Sequence, residues 1–376
     1  MKKILPLIII IVLAVFITTK IRTTNKVVFV EPNSVATSTS TTTQVTRIEP
    51  LKIIAESLEI PWDMAFLPIG DFLVSERPGR LVRIDSSGTR TQIPVTGVTH
   101  TAEGGLLGIE LHPQFASNKF IYLYMSSSGQ NGMTQNKVVR YVLENNTLQS
   151  EKIIIDKIPG AIYHDGGRIE FGPDGLMYIT TGDATKSELA QNKNSLAGKI
   201  LRLHDDGAIP ADNPFGTAVY SYGHRNPQGL AWDSQGRLWE TEHGRSGIAS
   251  GYDELNLIEK GKNYGWPTIE GPAKKDGFVT PVLQSGATDT WAPASLAVLN
   301  DTLYFGGLRG ETLYSVDVGG SSVGELKKHF SKLYGRIRTV RVGPDALIYF
   351  TTSNRDGRGD VKSGDDKIIR VDPKSL

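Results

Sequence analysis

Six short stretches hold residues whose types and spacing are suited to chemistry. "AEGGLLGIELHP" carries Glu103 just before a double glycine, and "YHDGGR" carries His164 and Asp165 before another. "YGHRNPQGLAW" sets His224, Arg225 and Asn226 against a proline. "TEHGRSGIASGYDELNLIEKGKNYGWP" holds Glu242, Gly244, Arg245, Asp253, Glu254 and Tyr264. "LRGETLY" supplies Arg309, and "YGRIRTVRVGPD" supplies Arg336 and Arg338. Taken singly, each has a plain structural reading: a histidine near a turn is commonly a hydrogen-bonder, Arg225 can cap loop carbonyls, and R-I-R alternation describes any half-exposed strand. Period-two alternation, however, puts Arg336 and Arg338 on one face, where two guanidiniums repel unless an anion lies between them. The combined inventory is one histidine base, several arginines and oxygen-rich loops suited to a hard cation such as Ca²⁺. There is no His cluster for zinc, no G-x-S-x-G elbow and no Walker loop. With no cysteine in the chain, thiolate ligands, disulfides and Cys nucleophiles are excluded.

The elements that must position these residues repeat. Strand–turn–strand patterns occur at Phe66–Asp85, Leu111–Ser126, Phe171–Asp183, Trp232–Gly244, Leu296–Asp317 and Val342–Asn354. Each sets a polar Gly/Asp/Asn turn before a run such as "LMYIT" or "LIYFT", a hairpin signal followed by good strand formers. Their spacing of roughly 45–65 residues is that of four-stranded propeller blades with loops. The pattern predicts an all-β, six-bladed β-propeller; an irregular β-sandwich would not repeat one motif six times. Chemistry is then expected on the loops before and after these motifs.

The 376 residues are 39% apolar and 22% charged, ordinary for a globular body with a sizeable core, and 40 glycines with 19 prolines suit a turn-rich fold. A net charge of +1 gives no long-range attraction to nucleic acid. The N-terminus reads differently: after two lysines come sixteen uncharged, mostly apolar residues, Ile4 to Thr19, and then the Ser/Thr-rich tract Ser34 to Arg47. The expected organisation is a hydrophobic helix acting as signal or anchor over 1–25, a flexible linker over 26–50, and the propeller over 51–376. That organisation implies attachment to the membrane through the N-terminal segment, with the globular domain on the extracytoplasmic side. The oligomeric state is left open.

From about Leu58 to Asp372 the chain resembles the soluble pyrroloquinoline quinone (PQQ)-dependent glucose/sorbosone and aldose sugar dehydrogenases. The resemblance rests on "EGGLLGIELHP", "HDGGRIEFGPDG", "GHRNPQGLAW", "DELNLIEKGKNYGWP" and "GRIRTVRVGPD", in that order. It implies a six-bladed propeller that oxidises aldoses to lactones, with PQQ and Ca²⁺ as cofactors and an external electron acceptor. It implies His164 as the general base, taking the hydroxyl proton while hydride leaves the anomeric carbon for the quinone, a task imidazole suits near neutral pH. Arg225 is implied beside the quinone oxygen, with Asn226, Arg309, Arg336 and Arg338 as further cofactor contacts; soluble glucose dehydrogenases have lysine in place of Arg309. Gly244 and Arg245 would bind the active-site Ca²⁺ through their carbonyls, and Glu254 and Tyr264 a second, structural Ca²⁺. Glu103 stands where those relatives have a cofactor-contacting glutamine, which places a negative charge beside an anionic ligand unless it is protonated or meets an arginine. Trp291 is expected to wall the substrate pocket. The alternatives are a calcium-dependent lactonase on the same fold, a non-catalytic extracellular binding module, and a propeller never supplied with its cofactor.

Overall fold

The computed structural model describes residues 49–129, 132–247, 250–320 and 322–376. The hydrophobic segment expected over 1–25 and nearly all of the linker over 26–50 lie outside them. Among the described residues, no helix is long and apolar enough to cross a membrane.

The chain is a six-bladed β-propeller, as its repeats predict. Blade one is β2 (Pro61–Phe66), β3 (Phe72–Glu76), β4 (Arg80–Ile84) and β5 (Arg90–Pro94), hydrogen-bonded in that order. Blade two is β6 (Leu106–Leu111), β7 (Phe120–Ser128), β8 (Thr134–Glu144) and β9 (Thr147–Pro159). Blade three is β10 (Ile169–Phe171), β11 (Met177–Thr181), β12 (Lys199–Leu203) and β13 (Val219–Tyr222). Blade four runs β14 (Pro227–Trp232), β15 (Leu238–Glu242), β16 (Glu254–Ile258) and β17 (Leu283–Gln284). Blade five runs β18 (Pro293–Leu299), β19 (Thr302–Gly307), β20 (Thr312–Asp317) and β21 (Lys327–His329). The sixth contains β22 (Ile337–Val342), β23 (Ile348–Thr352) and β24 (Ile368–Val371), and its outer strand is β1 (Leu51–Ala55), antiparallel to β24. Closing the ring with a strand from the far end of the chain removes the free edge of the last blade.

The repeated turns join the first two strands of each blade. In "FGPDG" the Gly172 N–H donates to Leu176 O at 2.8 Å, the Asp174 carboxylate accepts from Leu176 N, and Gly175 stands at φ 75°. Blade six makes the same turn with Ala346 at φ 57°, the left-handed region in which glycine is the easier residue. Apolar side chains fill the spaces between neighbouring blades, for example Leu73, Leu81 and Ile93 of blade one against Ile109, Leu123 and Met125 of blade two. A buried ion network crosses the centre: Arg341 of β22 reaches Asp63 of β2 at 2.9 Å, Glu110 of β6 at 3.5 Å and Glu170 of β10, while Arg168 also pairs with Asp63. Because the hairpins are antiparallel, the start of each first strand and the end of each second strand meet on one face. The candidate residues come from the loops of that face.

Candidate active site

His164 lies on the loop between β9 and β10. Its Nδ1 is 2.7 Å from Asp183 Oδ1, just beyond β11, and the other Asp183 oxygen accepts from Trp266 Nε1 at 2.8 Å. A carboxylate can only accept, so this contact places the proton on Nδ1 and leaves Nε2 as the basic nitrogen of a neutral imidazole. An imidazole and a carboxylate that orients it are thus in place, Asp183 being almost wholly buried.

The double glycine explains how the loop lies so low. His164 itself has φ 64°, followed by Gly166 at 66° and Gly167 at 114°. A Cβ on Gly166 would stand 2.6 Å from Thr181 Cα, and one on Gly182 would stand 1.9 Å from the His164 carbonyl oxygen. Only glycines let the two backbones cross this closely. Asn226, fully buried, fastens the crossing by accepting from Gly166 N at 3.0 Å.

His164 borders a cavity of about 290 Å³ that Glu103, Arg309, Arg336, Arg338, Arg358 and Trp62 help to line. Gly244 and Arg245 line it also, beside His243, Gln228 and Asp253. Arg309 is exposed and its side chain has no hydrogen-bond partner among the described residues. Arg336 and Arg338 do share an anion, but it belongs to the chain: Asp356 Oδ2 lies 2.8 Å from Arg336 and 3.8 Å from Arg338. One carboxylate between two guanidiniums leaves the pair with excess positive charge. Burial presses Arg338 down to about 9, against Asp356 and with Arg77 and Arg336 adding to the effect. A polyanionic ligand would relieve that crowding. Asp253 and Glu103, two other carboxylates beside it, are held by protein donors. Asp253 accepts from Gly244 N, Thr290 Oγ1, Trp291 N and Ala292 N at 2.6–2.9 Å, and Glu103 is paired with Arg358.

Arg225 is placed differently from the other arginines. Its guanidinium donates to His243 O (3.3 Å) and Ser246 Oγ (3.0 Å), lies over the Trp266 ring, and lines a smaller adjoining cavity behind that wall. Trp291 does not wall the pocket. It is buried in the core against Phe305 and Tyr314, and its neighbours Thr290 and Ala292 face the cavity instead. The flat apolar wall is Trp62 of β2, with Arg168 and Arg338 over its ring.

The donors proposed for cations also converge. The Gly244 and Arg245 carbonyls belong to the cavity loop, although the Arg245 oxygen accepts from Gly251 N at 3.2 Å; a carbonyl keeps a second lone pair. Glu254 and Tyr264 meet at the smaller cavity together with Glu242. Glu240, Glu242 and Glu254 are all buried, and one amide, Asn256 Nδ2, faces all three at 3.0–3.4 Å. Burial pushes Glu242 up to about 7 and raises its two neighbours as well. Glu240 Oε1, Asn256 Oδ1 and His224 Nδ1 are buried without partners. Ligand atoms of His224, Glu240 and Glu242 lie within 4.8 Å of one another. Three crowded carboxylates, with Glu240 Oε1 and Asn256 Oδ1 unpartnered among them, fit a divalent cation.

Asp165 yields a pH prediction. Its Oδ1 accepts from Asn136 Nδ2 and Ala161 N, while Oδ2 is buried without a partner, and burial pushes the carboxyl up to about 6. A folded-state value above the unfolded one contributes stability that is complete below about pH 4 and lost as pH rises through about 6. The stability of Asp165→Asn relative to the unaltered protein should therefore rise by about 2–3 kcal/mol between pH 4 and pH 7. Urea unfolding of both across that range checks it; a constant difference would contradict it.

Residues 58–369 match the glucose/sorbosone dehydrogenase family model. The PQQ-bound aldose sugar dehydrogenase of Streptomyces coelicolor superposes with a TM-score of 0.79 at 41% identity, covering 85% of this chain and 97% of that one. Aldose sugar dehydrogenase YliI of Escherichia coli is 29% identical over 86% of this chain and 93% of its own length. An uncharacterised Synechocystis protein is 36% identical over 81% of this chain and 84% of its own.

Proposed function

This chain belongs to the glucose/sorbosone dehydrogenase family, and from that membership and the site we propose that it oxidises aldoses to lactones using PQQ and Ca²⁺. The observation that carries the reading is the His164–Asp183–Trp266 relay at the edge of an arginine-rich cavity. Arg309, Arg336 and Arg338 would hold the cofactor carboxylates, against the indole of Trp62. The Gly244 and Arg245 carbonyls would hold one Ca²⁺, and Glu254 with Tyr264, beside Glu242, a second. Bound PQQ supplies the hydride acceptor and Ca²⁺ the Lewis acid that polarises it. His164 Nε2 takes the proton of the sugar's anomeric hydroxyl, and Asp183 stabilises the imidazolium that results. Arg225, behind His243 and Ser246, adds positive potential where negative charge develops. The likeness to the aldose sugar dehydrogenases of Streptomyces coelicolor and Escherichia coli supports a sugar substrate.

A calcium-dependent lactonase would need carboxylates converging on a central ion, whereas Glu103 and Asp253 are already committed to protein donors. A binding module has no use for an oriented imidazole. The hydrophobic segment over 4–19 supports a working position outside the cytoplasmic membrane, with electrons passed to an external acceptor.

Titration of the apoprotein with PQQ tests the cofactor assignment. Saturable binding that requires Ca²⁺ and is reversed by a chelator is expected; no binding would refute it. In the same titration Arg338→Met should weaken PQQ binding at least about tenfold, the loss of one charge-assisted contact. An unchanged affinity would remove Arg338 from the cofactor site.

A further inference from the structure

We propose that Glu103 and Arg358 are a paired positioning device, in which Arg358 neutralises Glu103 so that a carboxylate can hold the His164 backbone beside an anionic cofactor. The proposal rests on the functional reading above and assigns Glu103 a role other than cofactor contact.

The geometry is a bridge across three blades. Glu103, on the loop leading into β6, accepts from the His164 backbone N–H through Oε2 at 3.0 Å and from Arg358 Nη1 through Oε1 at 2.6 Å. Arg358 comes from the loop after β23 and stacks over the Tyr163 ring at 5.3 Å, next to the base. The Arg358 backbone N–H donates to Asp356 Oδ1 at 3.0 Å, so the bridge is joined through the main chain to the carboxylate that also pairs with Arg336 and Arg338. His164 stands in the left-handed region at φ 64°, a conformation that a residue with a side chain keeps only when its surroundings fix it. The Glu103 contact is one such restraint.

Two donors approach the Glu103 side chain from opposite sides, and only a carboxylate offers each an oxygen. A glutamine would satisfy one and turn its amide N–H₂ toward the other. The negative charge would repel an anionic ligand in a cavity whose wall Glu103 helps to form. Arg358 cancels it, and burial, which alone would raise Glu103, is outweighed by Arg358 and the His164 N–H, which hold the carboxyl at about 2.

The test separates charge from structure. In Arg358→Ala the carboxylate is left bare, and PQQ binding should weaken about tenfold, more at low salt than at high. Adding Glu103→Gln to that variant removes the repelling charge, and affinity should return to within about threefold of the unaltered chain. A merely structural pair gives a double variant at least as impaired as the single one. The positioning role is read at saturating PQQ and sugar: Glu103→Ala should lower kcat about tenfold, and the Arg358→Ala/Glu103→Gln variant, whose amide oxygen is free to accept from the His164 N–H, should recover most of it. A double variant that binds PQQ no better than Arg358→Ala, or a Glu103→Ala protein with undiminished kcat, overturns the proposal. Failure of the unaltered chain to bind PQQ overturns it together with the functional reading, whereas binding without suppression overturns it alone.

Discussion

Replacing His164 with alanine should lower turnover by at least about a hundredfold while PQQ binding is retained. Among the described residues the imidazole makes one side-chain polar contact, to Asp183, while the backbone is fixed by Glu103 and by the glycines that follow. Removing the ring therefore deletes the proton acceptor without releasing the loop. The arginines that would hold the cofactor come from blades five and six, and among the described residues none of them hydrogen-bonds the His164 ring. Steady-state kinetics and a PQQ titration on the same preparation check both halves. Equal turnover in the variant would remove the base from the mechanism, and lost PQQ binding would make His164 a cofactor ligand.

Asp183→Asn should be nearly as damaging, by about a hundredfold, although the side chain is the same size. Three N–H groups converge on this carboxylate: His164 Nδ1–H and Thr185 N–H on one oxygen, Trp266 Nε1–H on the other. An asparagine has one oxygen, so its N–H₂ must oppose at least one of these donors. With the N–H₂ turned toward His164 the lone pair that fixes its tautomer is lost, and with the N–H₂ turned toward Trp266 the tautomer is kept but the negative charge that stabilises the imidazolium is gone. Because the two residues act as one unit, the double variant should be scarcely slower than His164→Ala alone. Multiplicative losses would mean that Asp183 acts independently of His164.

The parts of this fold legible in the sequence are those written locally. Each inner hairpin has its own Gly/Asp turn, so six blades can be counted from one repeated motif, and the loops flanking it can be named as the functional face. Contacts made between blades left weaker traces. Asp183 closes the motif "FGPDGLMYITTGD" at the position where Asn354 closes "VGPDALIYFTTSN". Since the second strand ends on the face where the first begins, comparing the repeats by position would have brought Asp183 forward as a partner for His164. The repulsion between Arg336 and Arg338 was readable, but part of its remedy is Asp356 from a loop 20 residues on. Nothing in "SNRDGRGD" says which arginine it meets. Glu103 looked like a charge in conflict with its ligand because Arg358 is 255 residues away in the chain. Trp291 illustrates the opposite error: a tryptophan between loop residues reads as a pocket wall, yet its large apolar surface is better buried between β19 and β20, and Trp62, inside a strand, forms the wall. Closure of the ring by β1 depends on pairing between distant parts of the chain, which no local pattern encodes.

The most direct test of the central claim is a reconstitution in which one component is omitted at a time. Purified apoprotein is mixed with PQQ, Ca²⁺, an aldose from a panel and a redox dye, and dye reduction is followed. The account predicts reduction only when protein, PQQ, Ca²⁺ and sugar are all present. A protein that binds PQQ and Ca²⁺ yet reduces no dye with any aldose would contradict it.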